Sequence, residues 1–415
     1  MDTSDIIITD ERPEIPLDDI LNALNVGSVS GLCIKNRDIA QFFMVYLRIA
    51  NALRHNTSMR TLSIAGCSFR GQHRVLRYFF DNLNRQSSVR NLTLYGNTFD
   101  DKIEGIRCIS NFLKVNTTIE TLNLNFINFD IPPTEFGDLL SVLGSNPTIQ
   151  NLVLQHNNLG NCPENIRRLS EKIKSSSSIR MLDLSFNCIG DHFENMDHLL
   201  NVFSCRSIQK LNLGFNDICG KNGFEFQPGP GLSVISTGML INTSIYCLQL
   251  NCNMIGYQRG ELDHLTKILD VTSTLRELHL SRNCIGTHTD ELIRFLEILG
   301  TNTTIQALHL DRNCLGRCPN VLKSLSKLIK TNTKIQVLDL SNNNMMSLSE
   351  NPLKNPLLKS MEMNFTIQRL ILWDNKFDPL VFDRISKITE RNRHNALSKR
   401  QFVRDVVTNC QFNLS

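Results

Sequence analysis

Hydrophobic residues return along this chain in a fixed frame. The stretch IQALHLDRNCL, Ile305 to Leu315, places apolar side chains at Ile305, Leu308, Leu310 and Leu315 and an asparagine at Asn313. The same frame is found at Val89-Leu92-Leu94-Asn97-Phe99, Ile149-Leu152-Leu154-Asn157-Leu159, Ile179-Leu182-Leu184-Asn187-Ile189 and Ile335-Leu338-Leu340-Asn343-Met345, a pattern of L-x-x-L-x-L-x-x-N-x-L. Its second leucine falls at 32, 62, 92, 122, 152, 182, 211, 248, 278, 308, 338 and 370, twelve copies whose spacing is 30 in eight of the eleven intervals. The L-x-L segment predicts a short strand with its leucines inward and the residue between them outward, because strand side chains alternate. Downstream the period changes. Over Asn320 to Lys330, Val321, Leu322, Leu325, Leu328 and Ile329 form a stripe at helical spacing, Pro319 suits the first turn, and Lys327 and Lys330 favour the negative C-terminal end.

A strand–helix unit of this length buries its apolar face only by stacking on its neighbours. The expected fold is therefore an α/β solenoid, with parallel strands about 4.8 Å apart on a concave side and helices about 10 Å apart on a convex side. A buried amide at the asparagine position would serve backbone groups between turns. Arg37, Cys67 and Ile127 replace that asparagine, and the interior Ile127 predicts a local irregularity. Asn56, Asn116, Asn146, Asn242, Asn302, Asn332 and Asn364 precede the next unit and are expected in the left-handed conformation that ends helices.

The frame also divides the chain. Residues 1–16, acidic and holding Pro13 and Pro16, read as a flexible leader, and 17–28 as a capping helix with Leu17, Ile20, Leu21 and Leu24 on one face. Repeats fill 29–392. Their longest interval holds a Gly- and Pro-rich insertion at 219–231, read as an exposed loop, and a smaller one near Asn351–Pro356 perturbs a helix start. Val381, Phe382, Ile385 and Ile388 share a helical face. From 393 to 415, Lys399, Arg400 and Arg404 mix with Phe402, Val403, Val406 and Val407 in an amphipathic segment expected to cap the C-terminal edge.

These units resemble the leucine-rich repeat family, in its long-repeat, ribonuclease-inhibitor-like branch. The resemblance implies a horseshoe that binds proteins through its concave face. The 30-residue units, the Asn-Thr-Thr-Ile turn at Asn302 to Ile305 and the closing ITERNRHN also resemble leucine-rich repeat effectors of intracellular bacteria. That likeness implies secretion into a host cytoplasm and a host protein partner. Two other readings stay open. One related solenoid family activates a small GTPase, although this chain lacks its long acidic tail. A substrate adaptor of a ubiquitin ligase is the other, although residues 1–28 are short for a ligase-recruiting domain.

Composition narrows the chemistry. Lys and Arg number 44 against 40 Asp and Glu, and a net charge of +4 is too small for the basic face of a nucleic-acid binder. Thirteen cysteines behind a start without a signal peptide point to a reducing, cytoplasmic compartment and unpaired thiols. No run reaches the roughly 18 apolar residues of a membrane helix. Cys314 and Cys318 are close, with Cys162 equivalent to Cys318, but no second pair stands at zinc spacing, so no metal or other cofactor is expected. Nucleophile elbow, phosphate loop and H-E-x-x-H are all missing, which argues against an enzyme.

The outward positions carry what remains. His279 and His309 share one register of adjacent strands, with Asp339 next in the row and Asp311 one register along. The second residue after L-x-L reads Gly66, Gly96, Phe126, His156, Phe186, Phe215, Cys252, Arg282, Arg312, Asn342 and Asp374, with Tyr95 and Trp373 in the adjacent register. Aromatic and arginine side chains are the types enriched at interface centres. The expected protein-binding surface is therefore Tyr95, Phe126, His156, Phe186, Phe215, His279, Arg282, His309, Arg312 and Trp373. The alternative is that the rings tuck over the core edge of their own units.

Overall fold

Each leucine of the frame becomes the centre of a short parallel strand. The computed structural model describes residues 6–8, 17–35, 43–69, 71–85, 88–129, 133–220, 231–346 and 351–412, without the side chains of 43, 135 and 400–412. The chain divides into two compact units, Met1–Asn216 and Asp217–Ser415.

In the first unit the strands are β1 (Ile6–Ile8), β2 (Gly31–Lys35), β3 (Thr61–Ala65), β4 (Asn91–Thr93), β5 (Thr121–Asn123), β6 (Asn151–Val153), β7 (Met181–Asp183) and β8 (Lys210–Asn212). From β2 onward the register is leucine to leucine: Leu32, Leu62, Leu92, Leu122, Leu152, Leu182 and Leu211 each pair with the next. The helices are α1 (Leu17–Asn25), α2 (Phe43–Leu53), α3 (His73–Arg85), α4 (Lys102–Val115), α5 (Pro133–Ser145), α6 (Pro163–Lys174) and α7 (Phe193–Phe203). One β-strand therefore lies in the segment expected to be a flexible leader, where Ile6, Ile7 and Ile8 pair with Leu32, Cys33 and Ile34. Three apolar residues suffice because β2 offers an open edge, and Ile6 is buried in the result. The rest of the leader, and Arg37, lie outside the described residues.

The second unit repeats the plan. Its strands are β9 (Cys247–Gln249), β10 (Glu277–His279), β11 (Ala307–His309), β12 (Val337–Asp339) and β13 (Arg369–Ile371), again paired through Leu248, Leu278, Leu308, Leu338 and Leu370. Its helices are α8 (Gly231–Ile241), α9 (Glu261–Val271), α10 (Thr289–Thr301), α11 (Pro319–Thr331), α12 (Pro356–Met363) and α13 (Pro379–Phe412). In α11 the stripe Val321, Leu322, Leu325, Leu328 and Ile329 is buried and Pro319 takes the first turn. α12 is short, held by Asn355, whose Oδ1 accepts from the Leu357 and Leu358 N–H groups at 2.9 and 3.3 Å.

Asparagines tie successive turns together. Asn313 Nδ2 donates to the Leu280 carbonyl at 2.8 Å, and its Oδ1 accepts the backbone N–H of Asn283 at 3.0 Å. Asn187 does the same for Leu154 and Asn157 at 2.8 and 2.9 Å. Each rung thus satisfies one donor and one acceptor that burial would otherwise strand. Cys67 keeps part of the pattern with a thiol 3.8 Å from the Ile34 carbonyl. At Ile127 the expected irregularity does not reach the strands, since Leu92, Leu122 and Leu152 stay in register. Strand pairing uses backbone groups alone, and the Ile127 N–H is met by Asn157 Oδ1 at 2.9 Å while its side chain is buried. The isoleucine receives a rung and gives none.

Two other expectations are corrected, and a third falls mostly outside the described residues. The asparagines before each unit are not left-handed: Asn116, Asn302, Asn332 and Asn364 are extended, with φ of −77°, −63°, −75° and −94°. They end the helix with the side chain instead. Asn302 Oδ1 accepts from the Thr304 and Ile305 N–H groups at 3.0 and 2.8 Å, and Nδ2 reaches the Leu269 carbonyl at 2.8 Å. The ends of the 219–231 insertion are packed rather than exposed. Cys219 is buried, and a Cβ on Gly231 would lie 2.1 Å from the Ile218 carbonyl oxygen, so only glycine fits there; residues 221–230 lie outside the described residues. Finally, α13 runs unbroken through the boundary set at 392. Asn392 is buried inside it and donates to the carbonyls of Asn364 and Ile367 at 3.1 and 2.8 Å, filling the role a further repeat would have.

Candidate functional site

The row of residues following each strand shares an unusual backbone. Gly66, Gly96, Phe126, His156, Phe186 and Phe215 in the first unit all have φ between 54° and 63°, the left-handed region. Glycine enters it freely, whereas a residue with a Cβ pays about 1–2 kcal/mol. The conformation is imposed by bonding: Phe126 N–H donates to the Gln155 carbonyl at 3.1 Å, His156 N–H to Ser185 at 3.3 Å and Phe186 N–H to Gly214 at 3.0 Å. The parallel pairing therefore continues one step past the strands and carries these side chains in register.

The consequence is a stack of rings. Centroids lie 5.0 Å apart for Tyr95 and Phe126, 4.1 Å for Phe126 and His156, 4.0 Å for His156 and Phe186, and 3.9 Å for Phe186 and Phe215; the last three pairs lie within 19° of parallel. Tyr95 joins from the adjacent register because Gly96 puts no side chain in its way. The rings do not enter the core of their own units, where the frame leucines are fully buried. Tyr95, Phe126 and Phe215 remain 41%, 42% and 38% exposed, and His156 and Phe186 are half-buried. Burial between two phenyl rings lowers the His156 pKa, favouring the neutral imidazole.

Beside the stack runs a polar row that the sequence reading missed. Asn125 Nδ2 donates to Gln155 Oε1 at 3.1 Å, and Gln155 Nε2 and Asn212 Nδ2 both donate to Asp183 Oδ2, at 2.7 and 2.9 Å. Asp183 is buried beneath these partners. The signal was split between two outward registers: Asp183 and Asn212 share that of the histidines of the second unit, and Asn125 and Gln155 that of Tyr95.

That second unit has its own surface. Cys252, Arg282, Arg312, Asn342 and Asp374 share the same left-handed backbone, the two arginines exposed and Asn342 Nδ2 bonded to Asp374 Oδ2 at 2.8 Å. Trp373 is 71% exposed, 6.4 Å from Phe382 and nearly parallel to it. His279 and His309 are register partners, and their rings lie 4.2 Å apart and 4° from parallel. His309 Nδ1 stands 3.9 Å from Asp339 Oδ2. Burial would raise the Asp339 pKa, but the nearby His309 imidazole and the hydrogen bonds from Ser341 outweigh it and hold the carboxyl below its ordinary value.

Cys314 and Cys318 do not converge with other ligands. Among the described residues, potential metal ligands gather instead as Cys247, Glu277 and His279, and as His309, Asp311 and Asp339. No disulfide joins the described cysteines. In the second unit Glu261 is buried beside Cys219. Burial raises both pKa values, so the carboxyl favours its protonated form and the thiol stays a thiol. No described helix is long and apolar enough to cross a membrane.

Comparison with known proteins agrees with this architecture. A family model described as "Leucine Rich repeat" matches residues 175–192 and 272–287. The leucine-rich repeat-containing protein LegL7 from Legionella pneumophila is similar in structure, with a TM-score of 0.50 at 16% identity over 87% of this chain and 97% of that one. A chain of a TLR13–ssRNA13 complex aligns with a TM-score of 0.46 at 16% identity, over 84% of this chain and 42% of that one. No curated protein matches the sequence itself.

Proposed function

We propose that this chain, which has the fold of a leucine-rich repeat solenoid, is a non-enzymatic module that binds another protein through the ring stack of its first unit, Tyr95, Phe126, His156, Phe186 and Phe215. The observation that carries this reading is the ring stack itself. Large apolar groups stand half-exposed on backbone that costs energy to hold, at a position where Gly66 and Gly96 show that glycine serves. Strained backbone that carries exposed side chains points to a role for those side chains. Rings locked against each other also lose little entropy on contact, which favours binding. The polar row from Asn125 to Asn212 gives the partner hydrogen-bonding groups beside the apolar ones.

The fold shared with LegL7 of Legionella pneumophila supports a more specific reading: a bacterial effector whose partner is a host protein. Affinity capture from host-cell lysate, followed by titration of the captured protein, tests both levels. Replacing Phe186 and Phe215 by alanine is expected to weaken the complex by at least about 2 kcal/mol, some thirtyfold in Kd. Undiminished binding by a folded double mutant would remove the stack from the interface. Capture only from bacterial lysate would remove the effector reading.

A further inference from the structure

In the second unit, the ends of β11 and β12 and the residue Asp311 just past β11 bring together an imidazole and two carboxylates. We propose that His309, Asp311 and Asp339 form a binding site for a divalent first-row transition-metal ion. One ligand atom from each lies within 4.8 Å of the other two, and His309 Nδ1 is 3.9 Å from Asp339 Oδ2. Metal–ligand bonds of about 2.1 Å place ligand atoms about 3 to 4 Å apart, so small side-chain rotations close the set around an ion.

Each ligand is held from behind. Asp339 Oδ1 accepts from the Ser341 N–H and hydroxyl at 3.0 and 2.7 Å, leaving Oδ2 turned to His309. The Ser281 hydroxyl donates to Asp311 Oδ1 in a short bond, leaving the other oxygen for an ion. His279 stacked on His309 fixes the plane of the ring. Supporting contacts of this kind orient metal ligands and tune their affinity. Among the described residues, no lysine or arginine forms an ion pair with either carboxylate, and the group paired with Asp339 is the His309 imidazole itself. An imidazole with two carboxylates suits manganese or iron better than calcium, which takes six to eight oxygens, and better than the thiol-seeking ions. Three protein ligands leave further positions open to water or to a partner's side chain.

The neighbouring Cys247, Glu277 and His279 offer a thiol and are the competing site, so the probe must distinguish the two. Manganese(II) has little affinity for thiols, and its paramagnetic resonance signal separates free from bound ion. Titrating the full chain with manganese(II) is expected to give one bound ion per molecule. His309→Gln and Asp339→Asn should each weaken binding by at least about tenfold, and Ser341→Ala by about tenfold through the ligand it holds. Cys247→Ser should leave binding unchanged. Absence of bound manganese, binding undisturbed by His309→Gln and Asp339→Asn, or loss of binding on Cys247→Ser would each overturn the proposal. Asp339→Asn keeps the shape of the side chain and the bonds to Ser341, so it serves if the histidine variant misfolds; unchanged urea midpoints establish that a variant is folded.

Discussion

Phe186 and Phe215 stack 3.9 Å apart and 13° from parallel while both occupy left-handed backbone, at φ of 58° and 56°. The stacking and the backbone are two sides of one constraint, because the bonds that continue the sheet past its strands fix the conformation and the conformation aims the rings.

The energetics of Phe186 should reflect that balance. Phe186→Gly relieves about 1–2 kcal/mol of backbone cost and loses ring contacts worth about 0.5–1.5 kcal/mol per pair, so its urea midpoint should stay close to the parent's. Leu184→Ala, cut from the core one position before the turn, should cost about 2–5 kcal/mol. Equal losses from both variants would mean that the ring belongs to the core.

Asn313→Leu should destabilise the fold although it adds apolar volume. It strands the Asn283 N–H, now bonded at 3.0 Å, and takes one of two donors from the Leu280 carbonyl, which keeps Asn283 Nδ2 at 3.0 Å. The expected cost is about 1–3 kcal/mol for each unpaired group, read from urea unfolding. A mutant as stable as the parent would show that water or a shifted backbone can replace the amide.

Glu261 makes stability depend on pH. Burial, the largest influence, raises its folded pKa, while hydrogen bonds from Cys219 and the Gln258 and Gly256 N–H groups oppose the shift. A raised carboxyl binds its proton more tightly when folded. Its contribution is complete below the ordinary carboxylate range and fades as pH rises through the folded value. Glu261→Gln removes this ionisation, so the mutant should gain stability relative to the parent as pH rises above the ordinary carboxylate range. A constant difference over that rise would refute the assignment.

Thiol reagents should sort the cysteines by burial. Among the described cysteines of the native protein, Cys314, the exposed one, should react first, while Cys67, Cys205, Cys219 and Cys247 wait for unfolding. Reductant should leave the melting temperature in place, since a change of about 1 kcal/mol would move it by a few degrees. Rapid labelling of Cys219 in the folded state would contradict the packing around Gly231.

The leucine frame made the strands, their order and their register readable, because a strand residue at a fixed offset meets its counterpart in the next unit. The alignment of Phe126, His156, Phe186 and Phe215 follows from the same offset. Their left-handed backbone does not, since nothing in a phenylalanine signals a positive φ; Gly66 and Gly96 in the same column were the only hint. Asn302 misled for a related reason, as asparagine ends helices both by left-handed backbone and by side-chain capping, and sequence spacing does not separate the two. Ile6–Ile8 was too short to show a period. The grouping of His309 with Asp311 and Asp339 was visible as a row, but which carboxylate oxygen faces the ring depends on Ser281 and Ser341.

The asparagine ladder also gives the molecule a direction of completion. Asn313 closes the turn that holds Asn283, 30 residues earlier, and Asn343 closes the turn that holds Asn313. A chain emerging from the ribosome therefore always leaves its newest coil unfastened until the following one arrives. Trimming from the carboxyl end opens a clasp with each asparagine-bearing coil removed, though not with the coil of Ile127, while trimming from the amino end leaves the backbone groups of the remaining coils clasped. The two ends of each unit are chemically unequal, and Asn392, reaching the Asn364 and Ile367 carbonyls from within a helix, holds the turn before the last strand without a further coil.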